Sequence, residues 1–276
     1  MTDFRFSPVA PHPLLSPYVA KIWVFESSGR LPVQERKLIV PNTNLKLTLT
    51  YRNGIAASVG AKSFLQRENE LSLTGLIDAP VTLDPYEDSE TGTIIIEFNP
   101  LGAYRFFQLG FTGVKNEIAN LTDLTGKEAT VLCSRLTDTT DVNRKLRLLQ
   151  DFLIRQLERN PADAIYDHCI QRITATNGLI TVARLEKETG YSARWLHRKF
   201  SEHLGTGAKN LAEIVRFKQF YQAYSTGIPP EILKQYIYQY YYDQSHFLRA
   251  FKRFTGTTPT DLQNSMNELS TRNFTS

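Results

Sequence analysis

The stretch YYYDQSHFLRAFKRFTGTTP, Tyr240 to Pro259, decides how the C-terminal third of this chain is read. At 100° per residue, Phe247, Phe251 and Phe254 fall within about 20° to 40° of one line, with Ala250 beside them. Ser245, Arg249 and Lys252 take the opposite side, flanked by Arg253. Asp243 stands where an N-cap belongs, so Gln244, Ser245 and His246 form the first turn. The stretch predicts an amphipathic helix with an aromatic anchor and an outer face of hydrogen-bond donors and positive charge. Taken alone, such a helix is better explained as a solvated surface helix.

A second copy changes that. HRKFSEHLGTGAKNL (197–211) aligns with LRAFKRFTGTTPTDL (248–262) at a constant offset of 51. Arg198 meets Arg249, Phe200 meets Phe251, Gly205 meets Gly256, Thr206 meets Thr257 and Leu211 meets Leu262. Ser192 is the N-cap of the upstream helix, which turns Arg194 and Arg198 outward and Leu196 and Phe200 inward. A short helix precedes each copy: TVARLEKET before Gly190-Tyr191, and PEILKQYIYQ before Tyr240. Helix, tight turn and a second helix with a polar outer face, present twice, is a duplicated helix-turn-helix. Between the copies, LAEIVRFKQFYQAYS carries an apolar stripe of Leu211, Ile214, Phe217, Tyr221 and Tyr224. As a helix it makes a strut of roughly 22 Å, able to set two reading helices about one DNA turn apart.

The first half reads differently. From Tyr18 to Phe98, the β-rich runs YVAKIWVF, RKLIV, LKLTLTY, LSLTGL and GTIIIEF alternate with turn signals. Asn53-Gly54 after LTLTYR reads as a hairpin turn. A barrel-like or sandwich domain is predicted, making the whole an α+β multidomain chain. Helical patterns follow Asn99-Pro100: LGAYRFFQLG, then DVNRKLRLLQDFLIRQLERN (141–160). In the latter, Val142, Leu146, Leu149, Leu153 and Leu157 form one narrow stripe, which is either a core-facing side or a dimer seam. Asn160-Pro161 ends it. The expected units are a β-rich one at 1–160, a DNA-binding one at 161–265, and a tail at 266–276.

Composition narrows the class. The net charge of +4 is unevenly spread: residues 165–265 hold 13 Lys and Arg against 8 Asp and Glu, whereas 1–164 hold 18 against 19. A basic C-terminal third suits a polyanionic partner. No apolar run approaches a bilayer span, and MTDFRFSPVAPHPL lacks the basic start and apolar core of a signal peptide. Two cysteines, Cys133 and Cys169, without CxxC spacing argue against a disulfide framework, a structural zinc or an alkyl-accepting DNA repair protein. A cytoplasmic location is expected. Of the five histidines only His12 lies in the β-rich half, too few for a multi-histidine metal enzyme built on it. No GxSxG, P-loop or GxGxxG occurs. The expectation is a protein with no catalytic role, metal or cofactor.

The region from about Ala164 to Gln263 resembles the AraC/XylS family of bacterial transcription regulators. The similarity is strongest over D-Q-S-H-F…R-x-F-K…G-x-x-P at the end, and looser over GYSARWLHRKFSEHLG. It implies a seven-helix, double helix-turn-helix domain. By position the residues facing bases would be Arg194, Trp195, His197 and Arg198 in the first helix and Gln244, Ser245, His246 and Arg249 in the second. Arginine can donate two parallel bonds to guanine O6 and N7, and glutamine pairs similarly with adenine. Lys199, Lys209, Arg216, Lys218, Lys252 and Arg253 suit phosphates, which position without discriminating sequence. The family usually has Gly at the turn where Tyr240 stands, so this turn is expected to be either reshaped or strained. HPLLSPYVAKIWVF, KLIVPNTNLKLTLTY and NPLGAYRFFQLG are similar to a cupin-like domain found ahead of such regulators. That similarity implies a small-ligand role, with Trp23, Phe25, Arg36, Arg105 and Phe106 as candidate pocket residues; core packing and surface placement are the competing account. The expected partners are double-stranded DNA, a small-molecule effector, a second copy of the chain and RNA polymerase, with no membrane. The alternative is a regulator whose first domain serves only dimerisation or protein interaction.

Overall fold

The computed structural model describes residues 4–28, 41–85, 90–225, 230–259 and 261. The RKLIV run with Arg36, and the tail 266–276, lie outside the described residues. The strands are β1 (Phe4–Val9), β2 (Val19–Ser28), β3 (Leu45–Arg52), β4 (Ile55–Val59), β5 (Lys62–Gln66), β6 (Leu71–Thr74), β7 (Val81–Pro85), β8 (Glu90–Phe98) and β9 (Ile118–Asn120). They pair antiparallel in two sheets, ordered β1-β2-β8-β3-β6-β9 and β5-β4-β7. The expected sandwich or barrel is therefore present.

The period-two pattern explains the layering. On β3, Leu45, Leu47 and Leu49 join the main core with the helices, while Lys46 and Thr48 face the small sheet. On β8, Ile94, Ile96 and Phe98 do the former, and Thr93, Ile95 and Glu97 the latter. The large sheet is thus covered on both sides, and its two faces carry different chemistry.

Asn53-Gly54 is a turn, with Asn53 in the left-handed region at φ 51°. It is not a hairpin. β3 pairs with β6 and β8, whereas β4 pairs with β5 and β7. The turn moves the chain from one sheet to the other, a pairing decision that local turn chemistry does not contain.

Next come α1 (Ala103–Phe106), α2 (Leu121–Thr125), α3 (Lys127–Thr137) and α4 (Val142–Arg159). The predicted helix over 101–110 shrinks to four residues, α1. In α4, capped by Asp141, Leu146, Leu149 and Leu153 are buried in the main core, with Val142 and Leu157 packed at its edge. The stripe is filled from within the chain by α1 and α3. The dimer-seam reading of 141–160 is therefore corrected to a core-facing helix.

The remaining helices are α5 (Ala164–Ala175), α6 (Val182–Thr189), α7 (Ala193–Leu204), α8 (Ala208–Ser225), α9 (Pro230–Tyr240) and α10 (Gln244–Thr255). Helix α8 starts three residues before the predicted strut, and at 1.5 Å per residue it spans about 27 Å. Its stripe is wider than expected, because Ala212, Val215, Phe220 and Ala223 are buried along with the five predicted positions.

Candidate nucleic-acid interface

The pairs α6–α7 and α9–α10 are each joined by three residues, Gly190-Tyr191-Ser192 and Tyr241-Tyr242-Asp243. The second helix of each pair, α7 and α10, begins with the predicted cap. Ser192 Oγ accepts from the Trp195 amide at 3.3 Å, and an Asp243 carboxylate oxygen accepts from the His246 amide at 2.6 Å. Both end on a left-handed glycine, Gly205 at φ 79° and Gly256 at φ 75°.

Below each helix lies an apolar anchor. Leu196, Phe200 and Leu204 are buried under α7, and Phe200 meets Tyr166 edge-on at 5.0 Å between ring centroids. Under α10, Phe247, Phe251 and Phe254 interlock with Phe217 and Phe220 of α8 at centroid distances of 4.6–6.1 Å. Aromatic pairs of this kind add about 0.5–1.5 kcal/mol each beyond area burial.

The anticipated second-turn problem is resolved by reshaping. Residue by residue, the equivalent of Gly190 is Tyr241, and Tyr240 is the last helical residue of α9. Gly190 takes φ 76°, while neither tyrosine has a positive φ. The capping bond is nevertheless the same: Gly190 N donates to Glu186 O and Tyr241 N to Ile237 O, both at 2.8 Å. Tyr241 is buried, its ring against Phe247 at 5.3 Å and His246 at 5.4 Å. The tyrosine fills space that a glycine would leave open, and the turn carries no left-handed strain.

The outer faces are exposed where the repeat predicts. Arg194, His197 and Arg198 are exposed on α7, and Gln244, Ser245 and Arg249 on α10. Arg198 Nε lies 3.8 Å from Glu202 Oε1, one turn away. Trp195 and His246 are half-buried. Trp195 stacks on Tyr191 at 4.0 Å, with Lys199 Nζ 5.2 Å from its ring.

The phosphate candidates divide. Lys209 and Lys252 are exposed. Lys199 is committed to Asp163 at 2.8 Å, and His203 shares that carboxylate at 3.0 Å. Burial alone would raise the Asp163 pKa, but Lys199, the Tyr166 amide and His203 outweigh it and hold the carboxyl below its ordinary range. Arg253 bonds Glu213 at 2.9 Å and also reaches Asp78 and Asn210. Lys218 is half-buried; burial lowers its pKa, and nearby Glu97 opposes this. Arg216 is half-buried too, and its Nε has no hydrogen-bond partner. Lys199, Lys218 and Arg253 are therefore not free surface cations, because acidic groups distant in sequence face them.

The pocket candidates divide as well. Trp23 and Phe25 line a cavity between the two sheets, together with Phe6, Ile55, Leu83 and Ile95. Arg105 and Phe106 do not. Phe106 is buried in the main core, and Arg105 ties α1 to the C-terminal end of α4 and to Tyr18. Its guanidinium donates to Asn160 O at 2.9 Å and Tyr18 OH at 2.7 Å, and Asn160 Nδ2 donates back to Arg105 O at 3.0 Å.

The cavity's polar wall is a feature the sequence reading missed. Glu97, Lys46 and Thr74 line it as one cross-strand row on β8, β3 and β6, which Lys21 of β2 continues beyond the cavity lining. Glu97 Oε2 accepts from Asn44 at 2.9 Å and from Asn42 at 3.5 Å. Thr93, which also lines the cavity, has a buried Oγ1 with no hydrogen-bond partner. The alternation LKLTLT and GTIIIE carried the signal, since an inward face with lysine, threonine and glutamate is unlike a packed sheet interior. Among the described residues, no group of three or more His, Cys, Asp or Glu could hold a metal ion, and no helix is long and apolar enough to cross a membrane.

Residues 185–265 match the family described as a helix-turn-helix domain. Residues 7–119 match a family described as a domain of unknown function, DUF6597. No curated protein matches the chain. Among solved structures, ToxT from Vibrio cholerae strain SCE256 with an unsaturated fatty acid bound is similar, at 14% identity and TM-score 0.46 over 89% of this chain and 96% of that one. ToxT from Vibrio cholerae O395 gives 13% and 0.43 over 97% and 98%. The Schizosaccharomyces pombe Cnp3 cupin domain gives 11% and 0.28 over 35% and 64%. At such identities and scores these likenesses decide nothing about function. The family match falls on the segment that contains both exposed helix faces, and residues 185–265 of this chain match a helix-turn-helix domain.

Proposed function

We propose that the chain is a sequence-specific DNA-binding transcription regulator, with α7 and α10 entering successive major grooves on one side of a duplex. The observation that carries this reading is the pair of N-capped helices, each with a buried aromatic-bearing face and an exposed arginine-bearing face, with the 18-residue helix α8 between the two units. Arg194, His197 and Arg198 read one segment, and Gln244, Ser245 and Arg249 the other. Lys209 and Lys252 take phosphates. In this reading residues 1–160 form the sensing unit and 161–265 the reading unit. Selection of sites from a random duplex pool by the full chain tests it. The expected site has two base-specific segments about one helical turn apart, bound with a log–log salt slope of several units. A flat salt response, or no enrichment at low salt, sinks the proposal.

The β-rich half is proposed to sense a small organic molecule. Its cavity offers an apolar wall from Phe6, Trp23 and Phe25, and a polar end at Lys46, Glu97 and the unpartnered Thr93 hydroxyl. A molecule with an apolar body and one hydrogen-bonding or charged end fits that division. The competing role, a protein-interaction module alone, makes no use of this wall. A thermal-shift screen of the full chain against small metabolites separates them, since a ligand bound to the native state raises the melting temperature.

A further inference from the structure

Two loops of the β-rich half end on the two reading helices at equivalent places. Loop 111–117 meets the C-terminal end of α7: Phe111 N donates to Glu202 O at 2.9 Å, and a Cβ on Gly205 would stand 2.7 Å from Phe111 O. Loop 75–80 meets the C-terminal end of α10: Asp78 accepts from Arg253, and a Cβ on Gly256 would stand 3.0 Å from Pro80 Cγ. At the repeat offset of 51, Glu202 corresponds to Arg253 and Gly205 to Gly256.

The loops are also bonded to each other. Asp78 N donates to Asn116 Oδ1 at 2.9 Å, and Asn116 Nδ2 returns to Asp78 Oδ1 at 2.8 Å. Lys115 reaches Asp78 Oδ2 at 2.6 Å, Asn116 N donates to Leu76 O at 3.0 Å, and Gly75 N to Glu117 O at 3.0 Å. Asn210 of α8 adds a bond to Asp78 Oδ2 at 3.2 Å. Asp78 itself is buried. At their other side both loops border the cavity, through Thr74, Ile77, Val81 and Ile118.

We infer that these paired loops are a clasp coupling the cavity to the DNA site: the clasped pose is the DNA-binding pose, and Asp78 joins the clasp to the second reading helix. The inference rests on the DNA-binding reading above and names how its two halves communicate. A ligand that shifts Ile77 or Ile118 would shift the ends of α7 and α10 together. Because coupling is reciprocal, DNA binding must in turn act on the loops.

Amide hydrogen exchange of the full chain, with and without a duplex it selects, measures this directly. DNA should slow exchange at Gly75, Asp78 and Asn116 by about fivefold or more, the lower end of common coupling factors. In Asp78→Asn, which keeps the side-chain shape but not the charge, DNA should still bind while the slowing at these three amides largely disappears. Arg253→Gln removes the same contact from the other side and should give the same result, so a fold defect in one variant leaves the other to decide. Unchanged or faster exchange in the wild type overturns the clasp, as does equal slowing in both variants. Failure of the wild type to select any duplex would instead sink the DNA-binding reading itself.

Discussion

The two helix-turn-helix units reach the same geometry by different means. The first uses glycine and small polar contacts: Gly190 in the left-handed region, a Tyr191–Trp195 stack, and Asp163 holding Lys199 and His203. The second replaces Gly190 with the buried Tyr241 and interlocks five phenylalanines from α8 and α10. The i→i−4 bond that closes each first helix has the same 2.8 Å length in both. A turn of this type thus requires a capped helix end and a filled space behind it. Left-handed backbone is one way to make the first, and a large aromatic side chain is one way to supply the second. The acidic partners differ too. Asp163, which serves the first unit, is the N-cap of the neighbouring α5, whereas Asp78, which serves the second, belongs to the β-rich half.

Substitutions can break this comparison, beginning with the largest effect. Tyr241→Gly gives the second turn the residue type that Gly190 supplies in the first, and it should destabilise the chain by about 3–5 kcal/mol because it empties a packed site. Urea denaturation measures it; a neutral or stabilising result would mean that Tyr241 is tolerated and not used. Next come the left-handed glycines of the first unit. Gly190→Ala has open space around its new Cβ and should cost about 1–2 kcal/mol from backbone strain alone. Gly205→Ala meets Phe111 O at 2.7 Å and should cost measurably more. Equal losses would show that the loop gives way and that α7 is not tightly docked.

The smallest effect is in the acid limb. Burial pushes the Asp78 pKa up, but Lys115, Asn116 and Arg253 outweigh it, and the net value lies below the ordinary one, as for Asp163. A depressed carboxyl adds stability that is fully present above its unfolded pKa, near 3.9. That stability is lost as pH falls through the lower folded value. Asp78→Asn and Asp163→Asn should therefore be less stable than wild type at pH 7, with the difference shrinking below about pH 4. A constant difference across that range would place the contribution of these residues in packing and not in charge.

How much of this was legible in the sequence follows the range of each interaction. Ser192 and Asp243 were readable as caps, and Gly205 and Gly256 as repeat partners, because caps and helix ends obey rules spanning a few residues. The offset of 51 gave both exposed faces. What failed was long-range. Asn53-Gly54 encodes a turn but not which strands it leads to pair, so a sheet crossover was read as a hairpin. The α4 stripe encodes burial but not against what, and α1 and α3 of the same chain fill it. Lys199 and Arg253 look like surface cations until Asp163 and Asp78 arrive from 36 and 175 residues away. Arg105 looked like a pocket residue and is instead the tie across Asn160. At the second turn the repeat offset of 51 pairs Gly190 with Tyr241, and the end of α9 at Tyr240 agrees with that pairing against the expectation placed on Tyr240.

The central claim is that α7 and α10 read separate halves of one site, and site selection on Arg198→Ala and Arg249→Ala beside the wild type tests it most directly. These arginines are equivalent in the repeat, and both are exposed. With the second turn unstrained, the two losses should be comparable, on the order of 1–3 kcal/mol each. Each variant should relax base preference over a few adjacent positions, and the two relaxed segments should lie about one helical turn apart. Relaxation of the same base pairs by both substitutions, or unchanged specificity in either, would contradict the account.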